Sequence, residues 1–83
     1  MAEYVWIVTY SERLKNNKPV LDEESRPKID SVTIGPFGPV DGESKARDYS
    51  DKNIKEQHKF FRCKERVRDK ATKLIRTGQA EEL

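Results

Sequence analysis

Seven basic side chains, Lys52, Lys55, Lys59, Arg62, Arg66, Lys70 and Lys73, recur at steps of three and four residues in the C-terminal part of the chain. Residues three or four apart are neighbours on a helix surface, so the spacing predicts a positive stripe along one helical face. At about 100° per residue, with Ile54 as origin, all seven fall between roughly 80° and 160°, and no acidic residue shares that arc. Such a stripe neutralises phosphates and releases their counterions, or it docks on the carboxylates of an acidic protein surface.

The other groups capable of chemistry are sparse. His58 and Cys63 are five residues apart, which on a helix points them roughly 140° from each other. They make neither a nucleophile pair nor a metal site, since zinc needs three or four ligands. Gly38-Pro39-Val40-Asp41-Gly42-Glu43-Ser44-Lys45 fails as a phosphate loop because Lys45 does not follow the second glycine and no apolar strand leads into it. Asp22-Glu23-Glu24 reads as a solvated acidic run without the glycine-bearing loop of a hard-cation site. Tyr4, Trp6 and Tyr10 share one strand face, where they either form the core or offer a stacking platform for bases. Phe37, between two Gly-Pro steps, sits on a semi-rigid tip that either enters a partner pocket or folds back on the sheet. No catalytic constellation, metal site or cofactor fingerprint emerges. The expectation is a non-enzymatic protein with no cofactor and no small-molecule substrate.

The chain has 83 residues, 39% of them charged and 34% hydrophobic, which suits one small domain, 1–83. Its 17 basic and 15 acidic residues leave a net charge of only +2. That balance averages unlike parts. Residues 1–49 carry seven basic and nine acidic residues, residues 50–77 carry ten and four, and the tail from Gly78 adds two acids. A net +6 on 28 residues points to an anionic partner. The lone Cys63 closes no intramolecular disulfide, and a secreted domain of this size usually needs such staples. A reducing, cytoplasmic setting is therefore expected. The N-terminal stretch lacks the basic start of a signal peptide, and its apolar run is too short to span a membrane.

The elements that must position these residues follow from periodicity. Tyr4–Tyr10 is aromatic or β-branched and uncharged, with apolar residues on both faces, which predicts a central strand. Ile29–Ile34 predicts a second strand, stopped by Gly35-Pro36. Asn16-Asn17 marks a turn, and a hairpin pairing of the first strand with residues 19–21 follows from it. Residues 35–49 read as a loop. Ser50 then suits an N-cap, Tyr49 and Ile54 a hydrophobic staple, and Gly78 the residue past the last turn. Phe60, Cys63, Val67, Ala71, Leu74 and Ile75 supply an apolar side. The predicted fold is α+β: a small antiparallel sheet of two or three strands within 3–34, one long amphipathic C-terminal helix over about 50–77, and a frayed tail at 78–83.

A straight helix of that length spans about 42 Å, against a diameter of roughly 30 Å for a compact domain of this size. The overhang calls for a homodimer or a partner. The expected function is a small accessory or regulatory protein binding nucleic acid through the seven-residue stripe. The competing expectation is a protein-binding modulator or inhibitor, of the kind small phage and mobile-element products supply, docking the same stripe on an acidic surface.

Overall fold

The computed structural model describes residues 2–83. Strand β1 (Tyr4–Glu12) lies inside a four-stranded antiparallel sheet of order β4-β1-β5-β6, formed with β4 (Ile29–Phe37), β5 (Gln57–Cys63) and β6 (Glu81–Glu82). Helix α1 (Gly42–Asn53) and helix α2 (Arg68–Arg76) complete the fold, with a two-stranded ribbon of β2 (Leu14–Lys15) and β3 (Lys18–Pro19). The fold is thus α+β with two short helices, and the expectation of one long C-terminal helix is overturned.

Burial of β1 on both faces dictates this arrangement, because each apolar face of a sheet needs its own covering layer. Val5 and Ile7 pack with Ala46 of α1, joined by Ile34, Phe37, Ile54, Phe60 and Leu83. Trp6 packs on the opposite face with Cys63 and Ala71 of α2, joined by Tyr4, Leu74 and Ile75. Trp6 and Ile7 are both 0% exposed. Each such side chain contributes about 1.5–3 kcal/mol of burial.

Residues 50–77 depart most from the expectation. Ser50 is no N-cap; it is buried near the end of α1, where its hydroxyl donates to the Arg47 carbonyl at 2.9 Å. The chain leaves the helix at Ile54 without any glycine or proline, because residues 57–63 pair along the free edge of β1, from Tyr10↔Gln57 to Tyr4↔Cys63. Alternation then turns the adjacent phenylalanines to opposite faces, Phe60 half-buried beside α1 and Phe61 buried on the α2 side. A helix would have turned them about 100° apart.

Two other boundaries move. β4 continues through Gly35-Pro36 to Phe37, with one extra residue between the pairs Ile7↔Ile34 and Val5↔Phe37. Proline is tolerated there because β4 is an edge strand, where no outer neighbour awaits its missing N–H. Gly35 is required on its own account: its φ is +151°, and a Cβ would stand 2.9 Å from the Trp6 ring. The residues expected as a loop therefore hold the end of β4 and most of α1. The tail is no frayed end either, since β6 pairs with β5 and Leu83 N–H donates to Phe60 O at 2.9 Å.

Gly78 does terminate α2. Its φ is +74°, its N–H donates to Ile75 O (3.2 Å), and Gln79 N–H reaches back to Leu74 O (2.8 Å). This paired bonding satisfies carbonyls that the last turn leaves open.

Beyond the sheet, residues 13–28 form an arm, and the molecule measures 44 × 28 × 18 Å. Asn16 and Asn17 turn β2 into β3 with φ of 54° and 63°, as a two-residue primed hairpin turn requires. Asp22 closes the second tip by accepting the N–H groups of Glu24 and Arg26, both at 2.9 Å. At the base, Arg13 holds the Asp30 carboxylate through Nη2 (2.7 Å) and Nε (3.1 Å).

Replacing Ile7 with alanine should cost about 2–5 kcal/mol, whereas Val32→Ala, at an exposed position on β4, should stay within about 0.5 kcal/mol; urea unfolding of both variants checks this. The Arg13 hydrogen bond also holds the Asp30 carboxyl below the usual carboxylate range. The pair's contribution should be complete above that range and fade as pH falls through the lowered Asp30 value. An NMR titration should find the Asp30 midpoint below about 3.9, and Arg13→Ala should move it upward.

Candidate functional site

The seven residues of the predicted stripe are not brought together. Lys52 lies in the last turn of α1 and pairs with Asp48 at 3.1 Å; Lys55 lies in the connection to β5. Lys59 and Arg62 are an odd number of residues apart on β5 and so point to opposite faces of the sheet. Lys59 pairs with Glu82 at 3.6 Å. Arg62, on the α1 face, stands among Glu43 (3.3 Å), Glu3 (3.8 Å) and Glu81 (3.8 Å). Its charge is consumed within the fold. Arg66 precedes α2, and only Lys70 and Lys73 share a helix.

A different concentration of positive charge, contiguous in sequence, takes the place of the stripe. Residues 64–76 hold Lys64, Arg66, Arg68, Lys70, Lys73 and Arg76 against two acids, Glu65 and Asp69. Among the described residues, none of these six cations lies within ion-pair distance of a carboxylate. Glu65 is engaged with backbone: its Oε1 accepts the N–H groups of Arg66 (3.1 Å) and Val67 (3.2 Å). The same residue's carbonyl accepts the Trp6 indole N–H at 2.9 Å, which ties the lead-in of α2 to the buried centre of the sheet. α2 turns Ala71, Leu74 and Ile75 to the sheet, which at about 100° per residue leaves Lys73 on its outer crest with Lys70 and Arg76 on either flank.

The α1 side has the opposite character. Glu3, Asp41 and Glu43 line a surface depression around the first turn of α1 together with Arg62. A helix N-terminus favours anions, but three carboxylates there disfavour phosphate. Farther along, the Arg47 guanidinium lies 4.6 Å from the centre of the Phe60 ring and bonds to Glu43 at 3.0 Å.

The remaining candidates resolve structurally. Phe37 folds back onto the α1-side core and meets the Tyr49 ring at 5.5 Å, so it presents no free tip. Trp6 is fully buried and Tyr4 packs beside it, which removes both from any stacking platform, while Tyr10 stays half-exposed at the edge of a cleft beside α2. His58 contacts the Glu56 carbonyl (2.8 Å) and the Phe60 ring; Cys63 is buried at the far end of β5. Among the described residues, no three His, Cys, Asp or Glu side chains are grouped to hold a metal ion. No described helix is long and apolar enough to cross a membrane.

Lys64, Arg68 and Arg76 fall outside the arc that a single long helix predicts. A plain count of charge along residues 64–76 finds them without any assumption about secondary structure. Comparison with family models, with curated proteins and with solved structures finds no match for this chain.

Glu65→Ala should remove the acceptor for two N–H groups and cost about 0.5–1.5 kcal/mol, the usual range for a lost hydrogen bond. Glu65→Gln, which keeps an oxygen at that position, should retain most of the stability; chemical denaturation of the two variants distinguishes them.

Proposed function

We propose that this protein is a non-enzymatic accessory or regulatory factor that binds nucleic acid through phosphate contacts from Lys64, Arg66, Arg68, Lys70, Lys73 and Arg76. The observation that carries the reading is the concentration on α2 and its lead-in of six cations that, among the described residues, have no carboxylate partner, the two acids of that segment being outnumbered threefold. Cations already neutralised by the fold have little left to offer a phosphate. These six keep their charge for an external anion. A lone buried thiol suits a reducing compartment, consistent with a cytoplasmic role. With two short helices in place of one long one, the overhang that would call for a homodimer is absent from the described residues.

The free edge of β4, with Ile29 and Val32 exposed beside it, supports a second reading of another class. In it the protein is a modulator that adds a partner's strand to β4 while the α2 cations meet an acidic protein surface.

Binding of duplex and single-stranded oligonucleotides should weaken with salt, with a logarithmic slope of about −4 to −5 if all six cations meet phosphates. Lys64→Glu, Lys70→Glu and Lys73→Glu combined should lower affinity by about two orders of magnitude or more and flatten that slope. Lys52→Glu, on α1, should change it little. Fluorescence anisotropy titrations at two salt concentrations measure both. An affinity weaker than about 10⁻⁴ M for every probe would reject the nucleic-acid reading and leave the protein-docking one.

A further inference from the structure

α2 covers only part of its face of the sheet. Between the helix and the uncovered part lies a cleft of about 390 Å³, within the range of small-ligand sites. Its floor is Val8, Tyr10 and Phe61, and one wall is Thr72, Ile75 and Arg76 of α2. The lining is mostly apolar but carries hydroxyls: Thr72 and Thr33 share a hydrogen bond at 2.9 Å, and Ser31 opens onto the cleft from β4. Glu82 also borders it, with its charge taken up by Lys59 at 3.6 Å. One wall is thus the flank of the helix that bears the unpaired cations, and Arg76 belongs to both the cleft and the positive surface.

We infer that this cleft receives one unstacked base of a single-stranded nucleic acid, stacked beside Tyr10, while Arg76 and Lys73 hold its flanking phosphates. The inference rests on the nucleic-acid reading above and narrows it. An aromatic ring on the floor of an apolar slot, with Arg76 on its wall and Lys73 beyond it on the crest of α2, meets both halves of a nucleotide: the flat, weakly polar base and the charged backbone. In a duplex the bases are stacked and paired, so the slot would stay empty and only the phosphate contacts would remain. Charge complementarity commits the cleft to this occupant. An uncharged apolar ligand would make no use of Arg76, and a peptide with acidic side chains alone would offer no flat ring to Tyr10.

Four probes of equal length test this by fluorescence anisotropy on the full chain: single-stranded DNA, single-stranded RNA, the same strand built with abasic sites, and duplex DNA. At least one intact single strand should bind about tenfold or more tighter than the abasic strand and the duplex, the factor expected for one stacked base. Ser31→Trp, which fills the cleft from the exposed edge strand without changing charge, should reduce that strand's affinity to the abasic level while keeping the salt slope. If the abasic strand or the duplex binds as tightly as the intact single strands, the base pocket is refuted and the phosphate reading stands. If no probe binds, both fall. The abasic comparison is made on the unaltered protein and does not depend on the tryptophan variant folding.

Discussion

A single strand with apolar residues on both faces is the constraint from which the rest of this structure follows. β1 offers Val5 and Ile7 to one side and Trp6 and Val8 to the other, all of them buried. One helical layer cannot cover both sides. The chain therefore builds two, α1 over Val5 and Ile7 and α2 over Trp6, and it must cross the sheet between them. β5 makes that crossing. It also supplies the second set of backbone partners that a central strand needs, because buried N–H and C=O groups left unpaired would cost more than the strand gains.

This division of layers also divides the charge. The α1 side gathers Glu3, Asp41, Glu43 and Glu81 around Arg62, while α2 and its lead-in keep six cations clear of carboxylates. The near-neutral total of the chain thus separates into two unlike surfaces. A protein whose cations were all paired internally would present little field to a partner. On the α2 side Lys59 is paired with Glu82, but among the described residues the cations of α2 and its lead-in are not paired.

Trp6 joins the core to that positive surface. Its ring packs over Gly35, and its indole N–H donates to the Glu65 carbonyl. The β5–α2 corner is consequently anchored to a fully buried side chain, and Glu65 fixes the same corner again through the two N–H groups it accepts. Cations mounted on a pinned corner lose less freedom on binding than cations on a loose loop.

Local patterns were legible in the amino-acid sequence wherever the deciding interactions are local. The two-sided character of β1, the turn at Asn16-Asn17, the helix end at Gly78 and the concentration of positive charge after residue 50 all depend on side-chain types within a few positions of one another. The split of residues 50–77 into the end of α1, β5 and α2 does not. Helical periodicity counts side chains on a wheel and takes no account of an unpaired strand edge more than forty residues earlier in the chain. One local sign was present: Phe61 falls outside the apolar arc that Phe60 joins, an awkward position on a helix and an ordinary one on a strand buried on both faces. Which cations remain free was likewise a tertiary decision, because Arg62 meets Glu3, Glu43 and Glu81 only after the chain folds. Composition determined that the C-terminal half would be positive; long-range pairing to β1 decided where that charge stands and which part of it faces outward.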